Sequence, residues 1–160
     1  YPILKKYNLN ATIFLISHYI GLTNYLTWPE ITAMKNNGNI TFEGHTYSHP
    51  FLSKITDDNA LRQQLLDSKI DLENHLGYKV KYLAYPYGDY NQHVISLVKQ
   101  YGYRAAFTVK LGDDAEYDDL YVLNRVPIFQ SYTHTFVKFW LSLHFPYLMR
   151  MEQKVCRTLS

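Results

Sequence analysis

Two histidines four residues apart are the side chains of this chain best suited to metal chemistry. His45 and His49 lie in segment 44–50, Gly-His-Thr-Tyr-Ser-His-Pro, after a stretch that alternates apolar and polar residues. Neutral imidazole nitrogen is a preferred ligand of zinc and of its first-row neighbours. The pair therefore predicts a divalent-metal site if the loop curls enough to bring the rings together. The alternative is that both rings only make local hydrogen bonds at the end of a strand.

A second candidate segment, Tyr85-Pro86-Tyr87-Gly88, ends another apolar stretch. Proline and glycine together also form ordinary turns, so the segment alone does not define a site. Both segments, however, follow predicted strands, and the carboxyl ends of parallel strands meet at one edge of a sheet. We therefore expect His45, His49, Pro86 and Tyr87 to converge.

The elements that must position these residues alternate between strands and helices along the chain, which predicts an α/β fold with a parallel sheet. The predicted strands cover residues 11–17, 40–44, 80–85, 103–109 and 123–128. One predicted helix ends near residue 7. The other predicted helices cover residues 27–37, 56–77, 91–100 and 133–149. The strand at 11–17 is a nearly continuous apolar run, which is typical of a strand that is covered on both faces.

Local capping signals support several of these boundaries. Thr27 and Glu30 have the spacing of a capping box, and Asn91 or a neighbour is placed to cap a later helix. Gly38 and Gly77 follow helical patterns and can end them in the left-handed conformation. Four leucines face one side of the helix that ends at Gly77, namely Leu61, Leu65, Leu72 and Leu76.

Composition restricts the class of protein. A length of 160 residues with 47% hydrophobic and 19% charged residues fits one globular domain. The net charge of +2, without any basic cluster, gives no indication of nucleic-acid binding. The single cysteine, Cys156, excludes an internal disulfide, and no apolar run is long enough to span a membrane. The sixteen tyrosines suit either a sugar-stacking cleft or half-buried packing positions.

The order His-Thr-x-x-His-Pro and then Tyr-Pro-Tyr-Gly resembles the polysaccharide deacetylases, the NodB-homology family also known as carbohydrate esterase family 4. The resemblance covers residues 1–128. It implies a distorted (β/α) barrel that lacks its first strand in this chain, with a deacetylase domain at 1–130 and a C-terminal helix and tail of the same domain at 131–160. The Thr-Phe-Asp-Asp-Gly motif of the family's first strand is absent from these residues, and Tyr1 in place of methionine indicates a processed product or a fragment.

The resemblance also implies a reaction, which is metal-dependent removal of N-acetyl groups, or less often O-acetyl groups, from a polysaccharide. His45 and His49 would hold a divalent ion, most often zinc. The third ligand and the general base would be aspartates expected upstream of Tyr1. The backbone N–H of Tyr87 would bind the developing oxyanion.

The remaining roles follow less closely from the motifs. The family's late histidine, which acts as general acid, corresponds best to His134, with His144 as the alternative, although neither completes the Leu-x-His pattern. We predict substrate contacts by Tyr85, Pro86, Asp89 and Arg125. The arginine that usually precedes the proline motif is replaced by Ala84. Arg125 could supply the missing cation or pair with the acidic loop at 113–119, and Asp89 could instead cap a helix.

Two further functions remain open from the sequence. The chain could be a catalytically inactive carbohydrate-binding or envelope module that keeps the cleft. It could also be an unrelated metal hydrolase in which Glu43 or Asp89 completes the metal site. For the deacetylase we expect an N-acetylated polysaccharide as partner and an extracellular or cell-envelope location.

Overall fold

The structure, a computed structural model, describes residues 1–111, 119–126, 128 and 135–144. Five parallel strands lie side by side in chain order. They are β1 (Ala11–Leu15), β2 (Ile40–Gly44), β3 (Tyr82–Ala84), β4 (Ala105–Leu111) and β5 (Leu123–Arg125). The predicted α/β fold is confirmed, and consecutive order is the order of a barrel wall. In the described part of the chain the sheet stays open.

Helices connect the strands and cover the sheet. They are α1 (Pro2–Lys6), α2 (Trp28–Asn36), α3 (Asp58–Arg62), α4 (Ser68–Leu76), α5 (Gln92–Gln100) and α6 (Phe136–His144). A π-helical segment, Gln63–Asp67, joins α3 to α4. The four leucines predicted to face inward on this long helix are all buried. None of the described helices combines the length and apolar character that a membrane span requires.

The capping signals set the helix ends as predicted. The Glu30 carboxylate accepts hydrogen bonds from the backbone N–H and the hydroxyl of Thr27, at 2.8 and 2.7 Å. The Asn91 side chain accepts from the backbone N–H of Val94 at the start of α5. Gly77 ends α4 with a φ of 75°. These ends depend on residues close in sequence, so the pattern alone was sufficient to place them.

The strand predicted at 80–85 is shorter in the structure, because carboxylates bind the backbone where the strand should begin. Glu73 accepts from the N–H of Val80, and Glu43 accepts from those of Lys81 and Tyr82, at 2.7 and 2.9 Å. The N–H groups of Val80 and Lys81 are therefore not available to a neighbouring strand, and at Tyr82 the Glu43 carboxylate accepts the N–H in place of a strand carbonyl. The ladder starts only at Tyr82.

Strand β1 is covered less completely than predicted. Only Leu15 is buried, and the other four residues are partly or fully exposed. In the described sheet β1 pairs with β2 alone, so its other edge is open. An apolar groove follows this strand and the loop after it, lined by Ile13, Leu15, Ile16, Ile20, Tyr25 and Leu26.

Some sequence predictions concern residues outside the described ranges. These are His134, most of the acidic loop, Pro127, the ends of the helix predicted at 133–149 and the tail at 152–160.

Candidate active site

The ends of β2 and β3 meet at the predicted histidine. Gly44 is the register partner of Leu83, so His45, which follows β2, lies beside the last residue of β3. The Nδ1 of His45 is 2.6 Å from the carbonyl oxygen of Ala84. A carbonyl only accepts, so Nδ1 carries the hydrogen and Nε2 presents a lone pair. A backbone bond of this kind fixes the tautomer and orientation of a metal-ligating histidine.

The loop after β2 curls and brings the second imidazole to the first. The ring centroids of His45 and His49 are 4.6 Å apart, with the planes at 76°. Thr46 and His49 have φ values of 67° and 61°, in the left-handed region, which a β-branched residue such as Thr46 rarely adopts. The hydroxyl of the fully buried Thr46 accepts from the backbone N–H of His49 at 3.0 Å. Backbone strain of this type is found preferentially at functional sites.

The π-helical segment holds this loop in place through Gln64. The N–H of Tyr47 donates to the Gln64 carbonyl, and the N–H of Ser48 donates to the Gln64 side-chain oxygen at 3.0 Å. The Gln64 amide nitrogen in turn donates to the Ser48 hydroxyl. The role of Gln64 could not be predicted from the sequence, since a glutamine on a helix carries no local sign of a contact with a loop sixteen residues earlier.

Both histidines are kept neutral by their surroundings. Burial lowers the pKa of His45 to about 4, against the opposing effect of its hydrogen bond to Ala84. Burial also lowers the pKa of His49. Neutral imidazole is the form that binds metals, so the pair suits a divalent ion at neutral pH. Among the described residues, no third histidine, cysteine or carboxylate joins the pair in a metal-binding group.

Tyr87 lies directly beside the pair, in a turn formed by Pro86–Gly88. Its φ is 56°, and its ring centroid is 4.6 Å from that of His49. The turn is closed by hydrogen bonds from the N–H of Gly88 to the Tyr85 carbonyl and from the N–H of Asp89 to the Pro86 carbonyl. The structure thus brings His45, His49 and Tyr87 together.

Tyr85 and Pro86, predicted as substrate contacts, are instead buried beneath the site. The Tyr85 side chain has no exposed surface, and its hydroxyl donates to the Tyr121 carbonyl at 3.0 Å. Pro86 is buried as well. These two residues anchor the turn that carries Tyr87, and a substrate contact by their side chains has no support in this arrangement. The motif identified the segment, but burial decides which of its members reach the surface.

Asp89 joins the two loops of the site and does not cap α5, a role that Asn91 fills. Its carboxylate accepts from both the backbone N–H and the hydroxyl of Ser53, each at 2.7 Å. Ser53 belongs to the short 3-10 turn Leu52–Lys54, which follows the histidine loop. Asp89 therefore ties this turn to the Tyr87 turn.

Replacing Asp89 with alanine is expected to lower the free energy of unfolding by about 2 kcal/mol, because the Ser53 N–H loses a charged acceptor. Ser53→Ala removes only the hydroxyl bond, and we expect a loss of about 1 kcal/mol. Urea denaturation of both single variants and of the double variant measures the coupling. Additive losses would show that the two side chains do not act together.

Arg125 lies near the pair and is partly buried. Its Nε donates to the Thr108 carbonyl at 2.7 Å, and its charge contributes to lowering the pKa of His45. Arg125, on β5, therefore places a positive charge near the histidine pair. This is one of the two roles that the sequence left open for it. The described part of the acidic loop, Asp119, pairs with Lys99 at 3.5 Å.

The carboxylates suggested for an unrelated metal hydrolase already bind backbone N–H groups. Glu43 accepts from Lys81 and Tyr82, and Asp89 accepts from Ser53. The alternative general acid, His144, has its Nδ1 2.9 Å from the Trp140 carbonyl on its own helix. None of these contacts places the three side chains beside the histidine pair.

Comparison with known proteins defines the class. The sequence profile described as polysaccharide deacetylase matches residues 1–106, and the chain belongs to this family. YxkH of Bacillus subtilis (strain 168), a protein named as a polysaccharide deacetylase, is 32% identical over 128 residues, which cover 80% of this chain and 45% of YxkH. The poly-β-1,6-N-acetyl-D-glucosamine N-deacetylase of Staphylococcus epidermidis is 30% identical, with 88% of this chain and 53% of that protein covered.

Solved structures show the same fold. The Streptococcus pyogenes deacetylase PplD superposes with a TM-score of 0.77 at 29% identity, over 82% of this chain and 58% of PplD. The distorted barrel of the NodB type, predicted from the two motifs, is thereby confirmed. The chain spans about half the length of the curated relatives it matches.

Proposed function

We propose that the protein is a hydrolase that removes N-acetyl groups from a polysaccharide. The observation that carries this proposal is the His45 and His49 pair, in which the Ala84 carbonyl leaves Nε2 of His45 as the free lone pair. Membership of the polysaccharide deacetylase family and the adjacent Tyr87 turn support it.

The donor set fits a divalent metal ion, with zinc the first choice for two neutral imidazoles. His45 and His49 would hold the ion, and the third ligand is expected from an aspartate upstream of Tyr1. Such an ion supplies Lewis acidity toward the acetyl carbonyl and lowers the pKa of a bound water. The preset tautomer of His45 and its low pKa are the contributions of this chain.

The remaining roles are assigned to residues that the sequence motifs indicate. The backbone N–H of Tyr87 would donate to the carbonyl oxygen of the substrate as negative charge develops there. Arg125 would add positive charge near the same edge of the sheet. His134 would protonate the leaving amine, and an upstream aspartate would accept the proton of the attacking water.

The open edge of β1 supports an upstream contribution to the site. An additional strand placed there would pair with unbonded backbone groups and cover the apolar groove beside Ile13 and Leu15. The substrate we propose is an N-acetylated polysaccharide outside the cell or in its envelope, since the staphylococcal relative is named for poly-β-1,6-N-acetyl-D-glucosamine.

A carbohydrate-binding module without catalysis is the second candidate. It is favoured by aromatic rings that remain exposed beside the histidine pair, at Phe51 and Tyr87. Such a module would use the same cleft but release no acetate.

The test is acetate release from N-acetylglucosamine oligosaccharides by the chain extended upstream through its coding sequence. We expect release that stops after treatment with a chelator and returns with zinc, because the site depends on the ion. A matched preparation carrying Phe136→Ala, which alters an exposed ring on α6, should behave like the wild type. Oligosaccharide binding without acetate release, in a preparation that holds metal, would favour the binding module.

A further inference from the structure

Two large aromatic rings form an exposed stack at the rim of the candidate site. The rings of Phe51 and Tyr87 lie 4.2 Å apart between centroids with their planes within 14° of parallel. The side chains remain 51% and 56% exposed. In such a stack each ring covers one face of the other, so the surfaces left for a ligand are the outer faces and the exposed ring edges.

Both rings are fixed by the turns that carry them. Phe51 immediately precedes Leu52, which is fully buried, and Ser53, which is bound twice by Asp89. Tyr87 is held in the left-handed conformation by its closed turn. Binding a ligand on these rings therefore costs little side-chain conformational entropy, because the turns already restrict their positions.

The stack also continues directly from the histidine pair. The Tyr87 ring contacts both the His49 ring, with centroids 4.6 Å apart, and the Phe51 ring. The backbone of Tyr87 has a φ of 56°, a conformation that is unstrained only for glycine. The turn therefore holds a tyrosine in an unfavourable backbone conformation at this position.

We propose that the outer face of the Phe51 ring, supported from behind by the stacked Tyr87 ring, forms an aromatic platform that binds the pyranose ring next to the sugar unit being deacetylated. The apolar C–H face of a pyranose packs on a flat aromatic face, and the phenol of Tyr87 offers a polar edge to sugar hydroxyls. The platform would make the site bind a polymer more tightly than a monosaccharide. This inference rests on the proposed function for the identity of the neighbouring sugar.

The test is calorimetric binding of β-1,6-linked N-acetylglucosamine, as a pentasaccharide and as a monosaccharide, to the chain extended upstream of Tyr1. Phe51→Ala is expected to weaken pentasaccharide binding about tenfold, equivalent to about 1.4 kcal/mol. Phe51→Trp, which restores a flat ring, should recover most of this loss, whereas Phe51→Leu should not. The matched control, Phe136→Ala, changes a ring that is 77% exposed on α6 and should bind like the wild type.

Each outcome decides the inference. Equal pentasaccharide affinity in Phe51→Ala and wild type would overturn it, as would a wild-type chain that binds no oligosaccharide. Metal content and acetate release, measured on the same preparations, report the proposed function separately. If Phe51→Ala loses affinity in a chain that holds no metal, the platform stands and the hydrolase fails. If acetate is released but Phe51→Ala binds normally, only the platform fails.

Discussion

A variant carrying both His45→Ala and His49→Ala is expected to lose divalent-metal binding, with affinity reduced by more than about 100-fold. Loss of a single supporting residue around a metal can already cost 10- to 100-fold, so removal of the two proposed ligands should exceed that range. The measurement is metal content after dialysis, followed by competition titration with a chelator, on the chain extended upstream of Tyr1.

The matched control replaces two histidines that lie elsewhere. His75 stacks on Trp28 with ring centroids 4.0 Å apart, and His93 lies 2.6 Å from an Asp58 oxygen. A His75→Ala, His93→Ala variant has the same composition as the test variant and should keep its metal. Equal metal content in the two double variants would remove the metal site from the proposed function.

Stability has to be followed in the same experiment. His45 donates to the Ala84 carbonyl, so His45→Ala leaves that acceptor without its partner at a cost of about 1–3 kcal/mol. His49→Ala removes a ring that is less buried than that of His45. The backbone N–H of residue 49 still donates to the Thr46 hydroxyl. Loss of metal by a folded His49→Ala variant alone would therefore exclude unfolding as the cause.

The parts of the fold that sequence predicted are those set by neighbours in the chain. The capping box at Thr27 and Glu30, the left-handed end at Gly77 and the leucine face of α3 and α4 each depend on contacts within a few turns of helix. The parallel arrangement of the strands followed from the alternation of strands and helices along the chain. Two motifs at strand ends were then sufficient to predict that the histidine pair and Tyr87 lie at the same edge of the sheet.

The contacts that give the site its geometry join residues far apart in sequence, and they could not be predicted. Gln64 holds Ser48, and Asp89 holds Ser53, through hydrogen bonds that no local pattern encodes. Glu43 shortened β3 in the same way, by binding the backbone of Lys81. The burial of Tyr85 was missed for a related reason, since a motif specifies a turn but not the face that its side chains take.

Gly88→Ala is expected to lower the free energy of unfolding by about 4 kcal/mol, at the upper end of single-substitution effects. An added Cβ would lie 2.5 Å from Cγ2 of Val109 and 2.7 Å from its backbone nitrogen, distances that real Cβ atoms do not adopt. The φ of Gly88, 68°, adds strain for any residue with a side chain. The Tyr87 turn must therefore shift away from β4, and urea denaturation measures the cost.

Gly102→Ala is the matched control that separates the two causes. Gly102 has a φ of 78°, but nothing lies within 4 Å of an added Cβ, so only the conformational penalty of about 1 kcal/mol applies. Val109 is 55% exposed, and adding Val109→Ala to Gly88→Ala removes the Cγ2 clash while the backbone nitrogen remains too close. We therefore expect the double variant to recover only part of the loss. Equal effects of Gly88→Ala and Gly102→Ala would contradict close packing of the Tyr87 turn on β4, and with it the rigid support that this turn gives to the proposed oxyanion donor and the proposed aromatic platform.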